Sequence, residues 1–204
     1  MYNPILSSYV PKLDFESYDD FASNYKVNVP EDFNFGYDVV DRWASLEPDK
    51  LALRWCNDEF VVKEYTFAEA KDLSNRTANA FRHAGIQKGD IVMLILKQRP
   101  EAWWCITALC KIGAVCIPGT YQLTKKDIVY RSNLAKIKMI VTVDDAEIIE
   151  KINQARPDCP SLELLASVGD SCVPDYIKFR EAVASESPEL ERVPNKVTEP
   201  NLIY

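Results

Sequence analysis

The stretch IVMLILKQRPEAWWCITALCKIGAVCIP, residues 91–118, decides the fold. Ile91 to Leu96 is a continuous apolar run bounded by turn residues, the pattern of a strand buried on both faces. Pro100 stands where a helix begins without needing the N–H that proline lacks, and Glu101 suits the positive end of that helix. Trp103, Trp104, Ile106, Leu109 and Ile112 make the helix apolar almost all round, and Gly113 closes it. Ala114 to Pro118 is then a second strand. Strand, helix and strand joined by short links predict a right-handed parallel crossover. The stretch is interrupted by Lys97, Arg99, Glu101 and Lys111, whereas a bilayer crossing needs about 20 mostly apolar residues. It reads as buried core.

The alternation continues downstream. Thr124-Lys-Lys-Asp127 opens a helix with capping-box character, Lys138 to Val143 is a strand, Asp144 to Ala155 a helix and Leu162 to Val168 a further strand. Upstream, Thr66-Phe-Ala-Glu69 is a full capping box, and the helix after it sets Phe67, Ala70, Ser74, Ala78, Phe81 and Ala84 on one face before Gly85 ends it. Leu51 to Cys56 and Phe60 to Tyr65 flank Asn57-Asp58 as a hairpin. Asn34 is expected to cap a helix bearing Tyr37, Val40, Trp43 and Ala44, which Pro48 stops. The predicted fold class is α/β: a mostly parallel sheet with helices on both faces, plus a short β-hairpin. Residues 1–29 form an irregular leader with one short helix near Tyr18 to Tyr25. Residues 30–184 form the α/β body. Residues 185–204 are a linker ending in Leu202-Ile203-Tyr204, the start of another strand.

The chain has 204 residues, 24 Lys+Arg against 31 Asp+Glu and a net charge of −7, which disfavours binding to phosphate backbones, so no nucleic-acid partner is expected. A single histidine, His83, excludes HExxH zinc sites and multi-histidine centres, and no metal site is expected within the chain. The six cysteines show no CxxC spacing, and three of them (Cys105, Cys110, Cys116) fall in the most apolar stretch, where free cysteine acts as a small hydrophobe. Asp14, Glu16, Asp19 and Asp20 leave no basic-then-apolar leader, so a cytoplasmic location without a membrane span is expected.

Residue by residue, the chemistry is thin. There is no GxGxxG, GxxxxGK[ST] or GxSxG. The pairs Asp19-Asp20 and Asp144-Asp145 read as solvated charge and helix N-termini ahead of any acid/base pair. His83 reads as a helix C-terminal residue, Trp43, Trp55, Trp103 and Trp104 as core, and the Asn75-Arg-Thr77 sequon as the middle of a helix. One segment stands apart: IPGTYQLTKKDIVYR, residues 117–131, where a strand ends in a glycine loop and a helix begins. Ligands of open α/β sheets gather outside the carboxyl ends of the strands, so backbone N–H groups of Gly119 to Gln122 beside a helix N-terminus are candidates for meeting an anion. A tight connection is the competing reading of the same residues.

PGTYQLTKKDIVYR resembles the PGTxQLTxxDIxYR signature of medium-chain acyl-CoA synthetases, within the adenylate-forming superfamily. PEDFNFGYDVVDRWA (30–44) resembles that family's opening helix. YTFAEAKDLSNRTANAF (65–81) resembles the superfamily's first adenylation motif, with Ala70 where leucine is usual. GIQKGDIVMLILKQRPEAWW and LCKIGAVCIPGT resemble the second motif region, with the tryptophans one place later than usual. The resemblance covers residues 30–145 and implies part of the N-terminal domain of the adenylate-forming fold.

It also implies an activity. A carboxylate attacks the α-phosphate of ATP, pyrophosphate leaves, and coenzyme A then displaces AMP from the acyl-adenylate to give the thioester. The implied partners are a small carboxylic acid, ATP and CoA, with Mg²⁺ on the phosphates. The family's phosphate loop follows a strand like Leu202-Ile203-Tyr204, so the chain is expected to stop short of it and to be inactive alone, with no catalytic residue of its own. By resemblance Gln122 contacts CoA, and Gly119, Thr120 and Tyr121 line the same loop. The alternative is a free-standing CoA-binding or synthetase-interacting module without catalysis. Oligomeric state and the identity of the acid are not encoded in these patterns.

Overall fold

The computed structural model describes residues 4–203. Two short helices lie in the leader, α1 (Leu6–Tyr9) and α2 (Tyr18–Asn24), where the sequence suggested one. Asn34 begins the next helical segment as expected, its Oδ1 accepting the N–H of Gly36 at 3.0 Å. The winding differs from a plain helix: Gly36–Asp41 is a π-wound turn that tightens into α3 (Arg42–Leu46). The antiparallel hairpin pairs β1 (Leu51–Cys56) with β2 (Val62–Thr66). Its turn is longer than two residues because Asn57 accepts the N–H groups of both Glu59 and Val61 and draws the chain into a wider loop. Then comes α4 (Phe67–His83), whose capping box is complete between Thr66 and Glu69.

Five parallel strands make the main sheet: β3 (Ile91–Ile95), β4 (Val115–Pro118), β5 (Met139–Val143), β6 (Leu164–Val168) and β7 (Ile177–Lys178). Their spatial order is β4-β3-β5-β6-β7. The connecting helices are α5 (Glu101–Ile112), α6 (Lys125–Ala135), α7 (Ala146–Ala155) and α8 (Phe179–Ser185). Helix α4 packs on α5 and α8, while α6 packs on α7. Since the chain leaves β3 toward β4 and then crosses back to β5, right-handed crossovers require those two groups to lie on opposite faces. All five residues of β5 are buried between them, as the uninterrupted apolar run requires. Strand β7 and helix α8 were not anticipated, because a two-residue strand carries no periodicity.

Lys111 is the least expected core residue. Its side chain is fully buried, and its ammonium donates to Asp41 at 2.6 Å, Ser74 Oγ at 2.9 Å and Asn75 Oδ1 at 2.7 Å. Three donors thus meet three acceptors, which is what a buried ammonium needs. Burial pushes the Lys111 amine down and the Asp41 carboxyl up, and the ion pair opposes both shifts. Gly36 has to be glycine here, since a Cβ would stand 2.5 Å from Lys111 Cγ. The cluster ties the π-wound turn, α4 and α5 together.

Residues 186–201 are irregular, as their composition suggests, but they are fastened down. Asn75 donates to the carbonyl of Pro188, Asn79 to those of Ser187 and Glu189, and Lys88 to that of Pro194. Arg192 grips Asp38 through two nitrogens at 2.6 and 2.8 Å. Beyond this strap, Leu202 forms a parallel bridge with Cys116 at the β4 edge, so the expected strand start joins the main sheet. Tyr204 lies outside the described residues.

Candidate functional site

At its carboxyl edge the sheet has a switch point: β3 connects onward to β4 on one side, and β5 connects to β6 on the other. Crevices of that kind are where open α/β sheets take ligands. Three chain segments converge there, the turn after β3 (Lys97, two residues past the strand), the loop after β4 (Gly119 to Leu123) and the turn after β5 (Asp144 and Asp145). Deep between them, Thr142 Oγ1 is 3.4 Å from the carbonyl of Ile95, joining β5 to β3.

The loop after β4 is held from below. Gly119 donates its N–H to the carbonyl of Leu94 at 2.8 Å, and a Cβ on Gly119 would press within 3.2 Å of Ile95 and 3.3 Å of Leu123. Thr120 turns the chain, its carbonyl and Oγ1 both 3.3 Å from the N–H groups of Leu123 and Gln122 respectively. Leu123 is buried and anchors the far end, which leaves Tyr121 and Gln122 exposed at the tip. The N–H groups of Gly119, Gln122 and Leu123 are therefore engaged internally. Those of Thr120 and Tyr121 carry no protein partner among the described residues.

The N-terminus of α6 is closed. Thr124 caps it, and the Asp127 carboxylate accepts from Thr124 N at 2.9 Å and Oγ1 at 2.7 Å. Hydrogen bonds from the Thr124 side chain and backbone hold the Asp127 carboxyl below its ordinary value. An anion arriving at the Gly119–Gln122 loop thus meets Thr120 and Tyr121 N–H groups and side chains, with the helix end already occupied by a carboxylate.

Asp144 and Asp145 separate into two structural roles. Asp145 caps α7, its Oδ1 accepting from Glu147 N at 3.1 Å and Ile148 N at 3.2 Å. Asp144 accepts the N–H groups of Asp170 and Ser171. Lys97 was missed by the sequence reading. Its ammonium is 2.8 Å from Asp145 Oδ2 and 5.4 Å from the centroid of the Tyr121 ring. This bond, more than any other contact, holds the Asp145 carboxyl below its ordinary value. The available signal was position, a lysine just past a buried parallel strand.

Other flagged residues are scaffold. His83 lies at the end of α4 with Nδ1 3.0 Å from Glu186 of the strap. Asn75 is buried against Lys111, which leaves the sequon inaccessible. The four tryptophans do not all join the core: Trp104 is buried, Trp43 and Trp55 are half-buried, and Trp103 is 60% exposed. The reason is helical spacing, since adjacent positions on α5 cannot both face inward. Trp103 borders an apolar cleft of about 320 Å³ between the hairpin, α5 and the π-wound turn, away from the Gln122 loop. Cys105, Cys110 and Cys116 are buried free thiols, as expected. Among the described residues no three His, Cys, Asp or Glu side chains are grouped to hold a metal ion. None of the helices is long and apolar enough to cross a membrane among the described residues.

Comparison with known proteins adds a family. The family model described as "AMP-binding enzyme" matches residues 40–204. The rat protein "Acyl-coenzyme A synthetase ACSM5, mitochondrial" is 40% identical over 167 residues, covering 79% of this chain and 28% of its own length. Among solved structures, the Brucella canis acyl-CoA synthetase superposes with a TM-score of 0.79 at 26% identity, covering 93% of this chain and 35% of that one. The anthranilate CoA ligase AuaEII, in complex with anthranoyl-AMP, shares the fold with a TM-score of 0.75 at 20% identity, covering 84% of this chain and 32% of that one.

Proposed function

This chain belongs to the AMP-binding enzyme family, and from that premise we propose that it is the N-terminal part of an ATP-dependent acyl-CoA synthetase. It spans only 28–33% of the length of the curated relatives it matches. The reaction of the whole protein is then acyl transfer in two steps. The substrate carboxylate attacks the α-phosphorus of ATP, the bond to the β-phosphate oxygen breaks, and pyrophosphate leaves. The thiol of CoA next attacks the acyl carbon, and AMP departs. In that reaction Mg²⁺ would supply charge neutralisation on the phosphates.

Within this chain the proposed role is to form part of the CoA approach, with Gln122 as the contact and Gly119, Thr120 and Tyr121 shaping its loop. The observation that carries this is the position of that loop: Gly119 locked onto Leu94, Gln122 exposed, at the switch point of the sheet. The main body, residues 30–184, is scaffold, with the leader before it and the strap after it. A cytoplasmic location remains our proposal, on the acidic leader; rat ACSM5 carries "mitochondrial" in its name, and imaging of a tagged protein decides between the two.

The test is a CoA titration followed through backbone amide signals. CoA is expected to move the signals of Tyr121 and Gln122, and Gln122→Ala to weaken binding about fivefold, the value of one exposed polar contact. The chain alone is expected to show no carboxylate-dependent ATP–pyrophosphate exchange. Unmoved loop signals would remove the CoA assignment, and measurable exchange would remove the claim that the chain is catalytically incomplete. A free-standing binding module predicts the same titration, and differs in that the encoding frame would stop at codon 204.

A further inference from the structure

Lys97 stands in the left-handed backbone region at φ +50°, which non-glycine residues seldom occupy. Lys97 lies in the turn leaving β3, its ammonium 5.4 Å from the centroid of the Tyr121 ring, whose chain neighbour is the exposed Gln122. Its ammonium has three donors, and one is engaged, with Asp145 Oδ2 at 2.8 Å. Asp145 is better provided: its Oδ1 takes two backbone N–H groups of α7, and its side chain is 35% exposed to water. The lysine side chain is 38% exposed. Open ion pairs of this kind are weak and readily exchanged, so Lys97 can leave Asp145 without stranding a buried charge. Asp144 nearby is committed to the N–H groups of Asp170 and Ser171. Lys97 is thus a cation at this edge whose carboxylate partner is replaceable.

We propose that Lys97 binds a phosphate of coenzyme A at the Gly119–Gln122 loop, exchanging the Asp145 carboxylate for a phosphate oxygen when the ligand arrives. The proposal rests on the CoA reading above and adds a residue that the PGTYQLT segment does not contain. An ammonium serves as a point charge for phosphate, and a charged hydrogen bond is stronger than a neutral one. The Tyr121 ring beside it offers a face for the rest of the ligand.

The experiment titrates the chain with CoA and with dephospho-CoA, comparing the unaltered protein with Lys97→Asn, Lys97→Arg and Asp145→Asn. Asparagine tolerates the left-handed backbone at position 97 and serves as a helix cap at position 145, so both variants preserve the local structure. Lys97→Asn is expected to weaken CoA binding about fivefold. Lys97→Arg should retain most of the affinity, and Asp145→Asn should raise it by freeing the ammonium. A loss confined to CoA assigns the 3′-phosphate, and a loss shared with dephospho-CoA assigns the diphosphate. If Gln122 signals still respond while Lys97→Asn binds CoA as tightly as the unaltered chain, the Lys97 proposal falls and the CoA reading stands. A weaker complex with Asp145→Asn also overturns it. If Gln122 does not respond in the unaltered protein, both fall together.

Discussion

Asp20 shows what a single half-buried residue does in the leader. Its two oxygens hold Lys12 at 2.7 Å, and it accepts from Asn24 at 2.7 Å and from Glu16 N at 3.0 Å. The Lys12 bond is the largest cause that lowers its carboxyl to about 2 from an ordinary 3.8. A carboxyl lowered on folding supports the folded form above the unfolded value, and that support disappears as pH falls through the folded one. The clamp around α2 is therefore expected to hold at neutral pH and to loosen between about pH 4 and pH 2. Carboxyl-carbon NMR should give a midpoint near 2 for Asp20, and Lys12→Ala should move it up. A midpoint near the ordinary value in the unaltered chain would show that the clamp does not form in solution.

Helices α2, α4, α6 and α7 begin where a side chain satisfies orphan backbone groups, on Ser17, Thr66, Thr124 and Asp145. Helix α4 opens on a reciprocal capping box and α6 on another, with Asp127 in the place of glutamate. Helix α5 ends on Gly113 at φ +71°, where a Cβ would also meet Lys88 Cγ at 3.0 Å. Losing a cap of the Thr66 kind costs about 1 kcal/mol, because one N–H is left to water and the chain entry to the helix is less defined. Thr66→Ala is expected to lower unfolding free energy by about that amount in a urea melt, with Thr66→Ser restoring most of it. No change in either variant would mean that packing of α4 on α5 and α8 fixes its start unaided. The caps were legible in sequence because their partners lie three residues apart.

At the scale of the molecule, the strap joins what the chain order separates. Arg192 reaches Asp38 across 154 positions, and Asn75 and Asn79 receive the strap over 108 to 113 positions. Val197 N–H completes the tie by donating to the carbonyl of Glu31 at 2.7 Å. Removing one exposed ion pair leaves a large core untouched, so the effect should be local. Arg192→Ala is expected to speed amide exchange at Val197 several-fold while α5 amides keep their protection. Faster exchange throughout α5 would show instead that strap and core open as one unit.

The sequence by itself determined the alternation of strands and helices, the capping boxes of α4 and α6, the glycine closure of α5 and the buried thiols. It also singled out the Gly119–Gln122 loop as the place to look for a ligand. All of these are written in residues within a few positions of one another, so periodicity and spacing report them directly. The tertiary structure alone decided that Lys111 would be a core residue, because its acceptors come from 36, 37 and 70 positions away. It likewise decided the π-wound turn over Gly36, the exposure of Trp103 and the pinning of a segment whose composition reads as linker. Lys97 meets Asp145 across 48 positions for the same reason. A local pattern states what environment a side chain prefers. Which partner fills that environment depends on how the crossovers bring distant strand ends to one edge of the sheet.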